Sequence, residues 1–407
     1  MSRYRPFGLH GTVLVLASTH FLVDGYGNIL TPLLPLLITD LNLSLAGAGT
    51  LQMCFQLANS VAQLGFGHLA DRSRPRLLLI AGPIVAVTIL PLVGLAPTAW
   101  MLALVLVAGG LGGAAFHPPA AALVHRYAGR NRGLAMSFHI TSGTLGQAMA
   151  PLIFAPFVQR YGLHGTVWLI IPGLAVLIGV LLRRVPPVER LQDSEAAGGL
   201  GSLRPYARPL SLLYVIVVLR TLTAISFATF VPIMLTRRGM TIAEAGTAAS
   251  AYLIAVGAGG FFGGPVADRF GARRVIVLSL VAAVPFMALA PLFSGWVLVA
   301  MIAVGGFLLQ STLPVNVTFA QTIAPISAAT VSSLMMGFAW GVGGLAVPLV
   351  GMAADRIGIE RTLILMSFMP LVAAVLALPL PAGRIAHRHA HAAGVATAED
   401  TGPDVAR

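Results

Sequence analysis

The sequence predicts an all-α membrane protein of twelve transmembrane helices, arranged as two pseudo-symmetric six-helix bundles. Three observations predict it. Hydrophobic residues make up 57% of the 407-residue chain and charged residues only 9%, against roughly 25% charged in an ordinary soluble domain. The apolar residues fall in long runs of the kind a hydrocarbon core demands, about 20 residues per helix. Landmarks in the first half of the chain also recur in the second at a near-constant offset.

In chain order the runs predict α1 over 9–38, α2 over 45–67, α3 over 76–96, α4 over 99–124, α5 over 133–158 and α6 over 163–182. A polar stretch, 183–208, is the only long break and reads as a linker. It is followed by α7 over 209–236, α8 over 243–266, α9 over 274–293, α10 over 296–323, α11 over 328–354 and α12 over 359–381. Residues 1–182 and 209–381 are the two expected bundles, and 382–407 is a polar tail. Lipid offers no partner to a backbone N–H or C=O, so only helices or closed barrels span it. These runs are far longer than the ~10-residue alternating strands of a barrel. The basic Met1–Pro6 segment followed by an apolar run resembles a signal peptide, but the run continues to Leu37, too long for one. It reads as a retained α1.

The net charge is +12, and every basic residue is arginine. The arginines lie in short clusters between apolar runs, not along one face, so no nucleic-acid partner is expected. Five of them (Arg160, Arg237, Arg238, Arg356 and Arg361) fall in alternate loops, Arg220 lies inside α7, and the rest share the opposite set of loops with both termini. This bias predicts cytoplasmic termini in a bacterial inner membrane. The 322–328 loop has no arginine and departs from the rule. Cys54 stands alone in an apolar run, so a disulfide within the chain is excluded and a packing role is expected.

Four times a helix ends in an acid or amide followed by arginine: Asp71-Arg72, Gln159-Arg160, Asp268-Arg269 and Asp355-Arg356. In the last three, glycine follows two residues after the arginine. The first and third copies are 197 residues apart, as are Gly67 and Gly264, Gly146 and Gly343, and Pro151 and Pro348. Four three-helix units make two inverted-repeat halves, and such proteins place substrate at the midplane between the halves.

The stretch Gly264-Pro-Val-Ala-Asp268-Arg269-Phe-Gly271-Ala-Arg273-Arg274 resembles the signature loop of the major facilitator superfamily. Its first-half copy, Gly67-His-Leu-Ala-Asp71-Arg72-Ser-Arg74-Pro-Arg76, has Arg74 where the family has its second glycine. A narrower likeness is to the fosmidomycin-resistance group. It rests on Ala115-Phe-His117-Pro118, on Gly133-Leu-Ala-Met-Ser with Gly146-Gln147, on Leu313-Pro-Val with Ala320-Gln321, and on Met336-Gly337-Phe-Ala-Trp-Gly341. The resemblance implies drug efflux driven by proton antiport, and a latch at the Asp-Arg loops: Asp71, Arg72 and Arg76 in one half, Asp268, Arg269 and Arg273 in the other. Gly143, Gly146 and Pro151 also invite comparison with the family's antiporter motif, although Met149 and Ala150 depart from it. Close helix packing through small residues accounts for α5 equally well.

A charge inside the membrane costs at least about 2.5–3.5 kcal/mol, and few residues here bear it. Asp24 is the only acid deep in a span and Arg220 the only deep arginine. The 197-residue offset carries Asp24 to the position beside Arg220, so the two are expected to face each other across a central cavity. Asp24 would take up a proton and Arg220 would bind an anion. A static ion pair is the structural alternative. His20 and Asn28 flank Asp24 at four-residue spacing on one helix face, and His20 is placed to relay protons. His117 is expected at the site beside a proline kink, whereas His139 is read as a packing residue. Gln310 and Asn316 on α10 are candidates for hydrogen bonding to substrate or between helices. Gln52, Gln56, Asn59 and Gln63 make one polar face of α2, read as interhelical. His387, His389 and His391 read as a solvated tail, and no zinc-ligand spacing occurs, so no metal is expected. No nucleotide-binding loop and no hydrolase motif occur, so neither an enzyme nor an ATP-driven pump is expected, and no cofactor.

The resulting expectation is a monomeric, proton-coupled carrier exporting a small organic, anionic or drug-like molecule. Proton-coupled uptake of an organic anion, and a non-transporting sensor on the same fold, remain as alternatives.

Overall fold

The computed structural model describes residues 9–72, 75–128, 132–184, 200–324, 331 and 334–381. They fold as twelve helices in the predicted order. These are α1 Gly11–Asp40, α2 Leu45–Ser60 continued by Ala62–Arg72, α3 Pro75–Leu95, α4 Ala99–Tyr127, α5 Arg132–Tyr161 and α6 Leu163–Leu169 continued by Ile170–Arg184. The second half contains α7 Leu203–Arg237, α8 Ile242–Phe270, α9 Ala272–Leu292, α10 Gly295–Ile323, α11 Leu334–Ile357 and α12 Ile359–Ala377. Among the described residues, nine of these helices are long and apolar enough to cross a bilayer. The others are α2, broken at Val61, the more polar α5, and α6, whose apolar segment is shorter. Most of the expected linker and all of 382–407 lie outside the described residues. Helical structure resumes at Leu200.

Local chemistry sets the helix ends. Ser44 accepts from the Gly47 N–H at 3.0 Å, and Thr241 with Glu244 forms a capping box on α8. Each such cap contributes about 1 kcal/mol. The repeated glycines make the tight joints. Gly162, Gly271 and Gly358 have φ of 72°, 90° and 90°, a region closed to most side chains. In the first-half copy the corresponding joint, residues 73 and 74, falls outside the described residues.

The same helix pairs pack in both halves: α1–α5, α2–α4, α3–α4 and α1–α6 in the first, α7–α11, α8–α10, α9–α10 and α7–α12 in the second. The halves meet along α2–α11 and α5–α8. These seams are tight at the end opposite the chain termini and part toward the other end. Along α11, a Cβ on Gly351 would lie 2.7 Å from Ala46 and one on Gly344 would lie 2.9 Å from Gln56, while one on Gly337 would meet nothing within 4 Å among the described residues. Along α8, a Cβ on Gly246 would lie 2.8 Å from the Pro151 carbonyl oxygen and one on Gly257 would lie 2.9 Å from Thr144, while one on Gly264 would again meet nothing within 4 Å among the described residues. The three α8 glycines are spaced by eleven and seven residues, both of which nearly keep one α-helical face, so the loss of contact there is a divergence of the helices. The molecule is closed at one end and open between its halves at the other.

Candidate functional site

Each half buries a separate polar cluster. In the first half the cluster is built on Asp24, one turn after His20 on α1. Asp24 Oδ2 lies 3.4 Å from His20 Nε2, and Asp24 Oδ1 lies 3.4 Å from His117 Nε2 on α4. Gln147 Nε2 of α5 donates to Asp24 Oδ2 at 2.9 Å. His20 Nδ1 donates to the His139 carbonyl oxygen at 2.8 Å, since a carbonyl can only accept. The His139 ring lies against that of His20, centroids 4.3 Å apart, and its own Nδ1 is buried without a partner. The His20 and Asp24 side chains are each 12% exposed and His117 is 17% exposed.

Missing side chains bring these groups together. A Cβ on Gly143 would sit 2.5 Å from His20 Nε2 and 2.8 Å from Asp24 Oδ2, and one on Gly146 would fall onto the Phe21 carbonyl. The close packing of α5 on α1 expected from its small residues is therefore present. Asn28 takes no part in the Asp24 contacts. It marks the point where α1 breaks, and its Nδ2 donates to the Gln147 carbonyl at 2.8 Å while Thr31 Oγ1 donates to its Oδ1 at 2.7 Å. α4 runs as one helix through Pro118 and Pro119, and His117 reaches Asp24 from it.

In the second half the cluster is built on Arg220, fully buried on α7. Its Nη1 donates to Gln310 Oε1 of α10, and its Nη2 donates to Thr221 Oγ1 at 3.1 Å. The guanidinium lies 6.0 Å from the Trp340 ring centroid. Its Nε has no hydrogen-bond partner, and among the described residues no carboxylate pairs with it. Two irregularities shape the site. α10 breaks at Ser311, directly after Gln310, and α11 opens into a wide π-type turn over Leu334–Phe338, just before Trp340. Such turns recur at functional sites. Asn316 is fully buried with both amide atoms unpartnered.

The static Asp24–Arg220 ion pair, the structural alternative, does not form. No ion pair joins them among the described residues, because each is held by groups of its own half. The offset carries Asp24 to Thr221, not to Arg220, and adjacent helix positions diverge by about 100°.

The expected latch residues are not engaged at Asp268. Asp268 and Arg269 are exposed and Asp268 meets no cation among the described residues, while the Arg269 guanidinium lies 5.4 Å from the Phe270 ring. Arg273 donates to the Leu378 and Leu380 carbonyls at 3.3 and 3.1 Å, and Arg76 is exposed. The side chains of Asp71 and Arg72 lie outside the described residues. The engaged contacts are at the other two copies of the repeat. Asp355 accepts from the Leu45 and Ala46 N–H groups at 2.8 and 2.9 Å, capping α2 from the opposite half. Gln159 Oε1 accepts from the Ala243 N–H at 2.8 Å, capping α8 in the same way. Both caps sit at the closed end, and Ala46 and Ala243 are themselves 197 residues apart.

Sequence reasoning missed Gln147, His139, Thr221 and Trp340 as site residues, and it expected no metal-ligating group. The donor atoms of His20, Asp24 and His117 nonetheless lie within 4.8 Å of one another. His117 is far from the other two in the chain, so no ligand spacing could reveal the group. The 197-residue offset did contain the signal for Thr221.

Comparison with known proteins agrees with this architecture. The model of the Major Facilitator Superfamily matches residues 16–240 and 213–398. The chain is 28% identical over 385 residues to the fosmidomycin resistance protein of Escherichia coli (strain K12), covering 93% of this chain and 94% of that protein. It is 29% identical over 385 residues to YfnC of Bacillus subtilis (strain 168), an uncharacterized MFS-type transporter, covering 91% and 92%. Among solved structures, a bacterial homologue of the human lysosomal transporter Spinster, in an inward-facing and unoccupied conformation, superposes with a TM-score of 0.76 at 19% identity over 93% of this chain and 97% of that one. The nucleoside transporter NupG superposes at 0.73 and 15% identity, over 91% and 98%. With twelve helices in two repeated halves and a family match over nearly its whole length, the chain is a multi-pass membrane protein of the Major Facilitator Superfamily.

Proposed function

We propose that the chain is a proton-coupled antiporter that exports a small organic anion by alternating access, with Arg220 as the anion-attracting group and the Asp24 cluster as the proton site. One observation carries this reading: a fully buried arginine with no carboxylate partner among the described residues. An uncompensated charge in a low-dielectric interior is costly and has to be repaid by function. A substrate carboxylate or phosphonate would supply the missing countercharge, and Trp340 offers an aromatic face beside it. Gln310 fixes the guanidinium, and Asn316 offers a further donor and acceptor in the same half.

The proton site is supported by geometry. With Nδ1 of His20 donating to a carbonyl, a neutral ring turns the Nε2 lone pair toward the Asp24 carboxylate. Two acceptors then face each other, and a proton between them relieves the clash. The arginine bias supports cytoplasmic termini in a bacterial inner membrane, which makes the open end the cytoplasmic one. Closing that end would engage the Asp71 and Asp268 loops while the Asp355 and Gln159 caps release. Export is supported by the name of the E. coli relative.

The test is transport in proteoliposomes with an imposed pH gradient, using carboxylate- and phosphonate-bearing compounds. Proton movement opposite to substrate is the expected result. Substrate accumulation in the same direction as the proton gradient would replace export by uptake, and no flux with any compound would sink the carrier reading.

A further inference from the structure

The first-half cluster has a property that proton binding alone does not require. We propose that it is also a site for one divalent transition-metal ion, with His20 Nε2, His117 Nε2 and the Asp24 carboxylate as ligands. The proposal rests on the geometry of the cluster and not on the cargo or direction of transport.

The donor set comes first. Two imidazoles and one carboxylate, with no thiolate, suit Zn²⁺, Co²⁺ or Ni²⁺. They do not suit Mg²⁺ or Ca²⁺, which take oxygen ligands. Distances come second. Each imidazole nitrogen is 3.4 Å from a carboxylate oxygen, longer than the usual N–H···O range of about 2.7–3.2 Å. It is close to the edge of a tetrahedron whose metal–ligand bonds are about 2.0–2.2 Å. All the donor atoms already lie within 4.8 Å of one another, so modest side-chain rotation brings the two imidazoles to the same spacing.

The surroundings are those of a ligand set. Metal-binding histidines donate their second nitrogen to a carbonyl or carboxylate. His20 does this to the His139 carbonyl at 2.8 Å, which aims its Nε2 lone pair at Asp24. Gln147 donates to Asp24 Oδ2, the carboxylate oxygen that faces His20, and holds it in place. Gly143 leaves the space against both His20 Nε2 and Asp24 Oδ2 free of a side chain. The ligands come from two helices, α1 and α4, that pack on each other, and their side chains retain partial exposure. A metal here displaces the bridging proton, so the two cations exclude each other.

The test uses the purified full-length protein, stripped with chelator and titrated with Co²⁺, whose visible absorption reports four-coordinate binding. One equivalent per chain is expected, displaced by Zn²⁺. His117→Ala and Asp24→Asn should each weaken it at least tenfold, with helicity and elution unchanged. His20→Ala is the substitute should either variant fail to fold. A chain carrying His387→Ala, His389→Ala and His391→Ala should keep the equivalent. The proposal is overturned if no saturable equivalent is found, if binding survives in the cluster variants, or if it disappears with the tail histidines.

Discussion

The two halves of this molecule share one fold and bury opposite chemistry. At matching depth, the first half places a carboxylate between two imidazoles, and the second places a guanidinium against an amide, a hydroxyl and an indole. In the function proposed above, the first cluster holds a cation and the second attracts an anion. The halves also differ at their seams. The cap on α2 is the charged Asp355, whereas the symmetric cap on α8 is the neutral Gln159. A duplicated scaffold fixes where polar groups can be buried and leaves their sign free. The proposed exchange of a proton for an anion would need both signs, kept apart.

The largest test of this contrast is Arg220→Ala. It should lower transport by at least about 100-fold, equivalent to about 2.7 kcal/mol, and Arg220→Lys should fall between, since it keeps the charge but loses the planar fork. Wild-type flux in the alanine variant would reduce the second cluster to a packing element. Next is Asp24→Asn, expected to abolish gradient-driven accumulation, at least about tenfold, while leaving downhill exchange measurable. Equal loss of both would assign Asp24 to substrate binding.

A third comparison uses the symmetry mates Gly146 and Gly343. A Cβ at Gly146 meets backbone of α1, whereas one at Gly343 first meets the Thr221 side chain, 2.9 Å away. Thermal unfolding of the purified variants should show Gly146→Ala losing about 1–3 kcal/mol and Gly343→Ala less. The caps should matter less again. Asp355→Ala should favour opening of the closed end by about 1 kcal/mol and Gln159→Ala by less, because only the former removes a charge from a helix N-terminus. Spin-label distances between the α1–α2 and α11–α12 joints would report it, and equal shifts would erase the distinction. The smallest effect is the energetic coupling between Asp24→Asn and Arg220→Ala. Sites without shared partners add within about 0.5 kcal/mol, and rescue of one variant by the other would restore the ion pair that the structure lacks.

Much of the architecture was legible in the chain. Apolar runs placed the twelve helices close to their described ends, the expected α11 start at 328 lying outside the described residues and α7 beginning earlier than expected, at Leu203, and the repeated glycines marked joints that take positive φ. The deep charges were also visible, because a bilayer leaves few of them unexplained. A static Asp24–Arg220 pair was not decidable from the sequence, since the offset locates a helix position but does not say which way a long side chain turns. His139 was underrated because its contribution is made by its backbone carbonyl and by ring contact, which leave no sequence signal.

By itself, then, the sequence determined what the solvent dictates: helices, their number, their duplication, and which buried polar residues had to be accounted for. Lipid imposes those constraints one segment at a time, so they can be read one segment at a time. Only the tertiary structure decided which polar groups meet, that the clusters are separate, and which end is closed. Those depend on whether glycines let particular helices approach, and on contacts between residues that lie far apart along the chain.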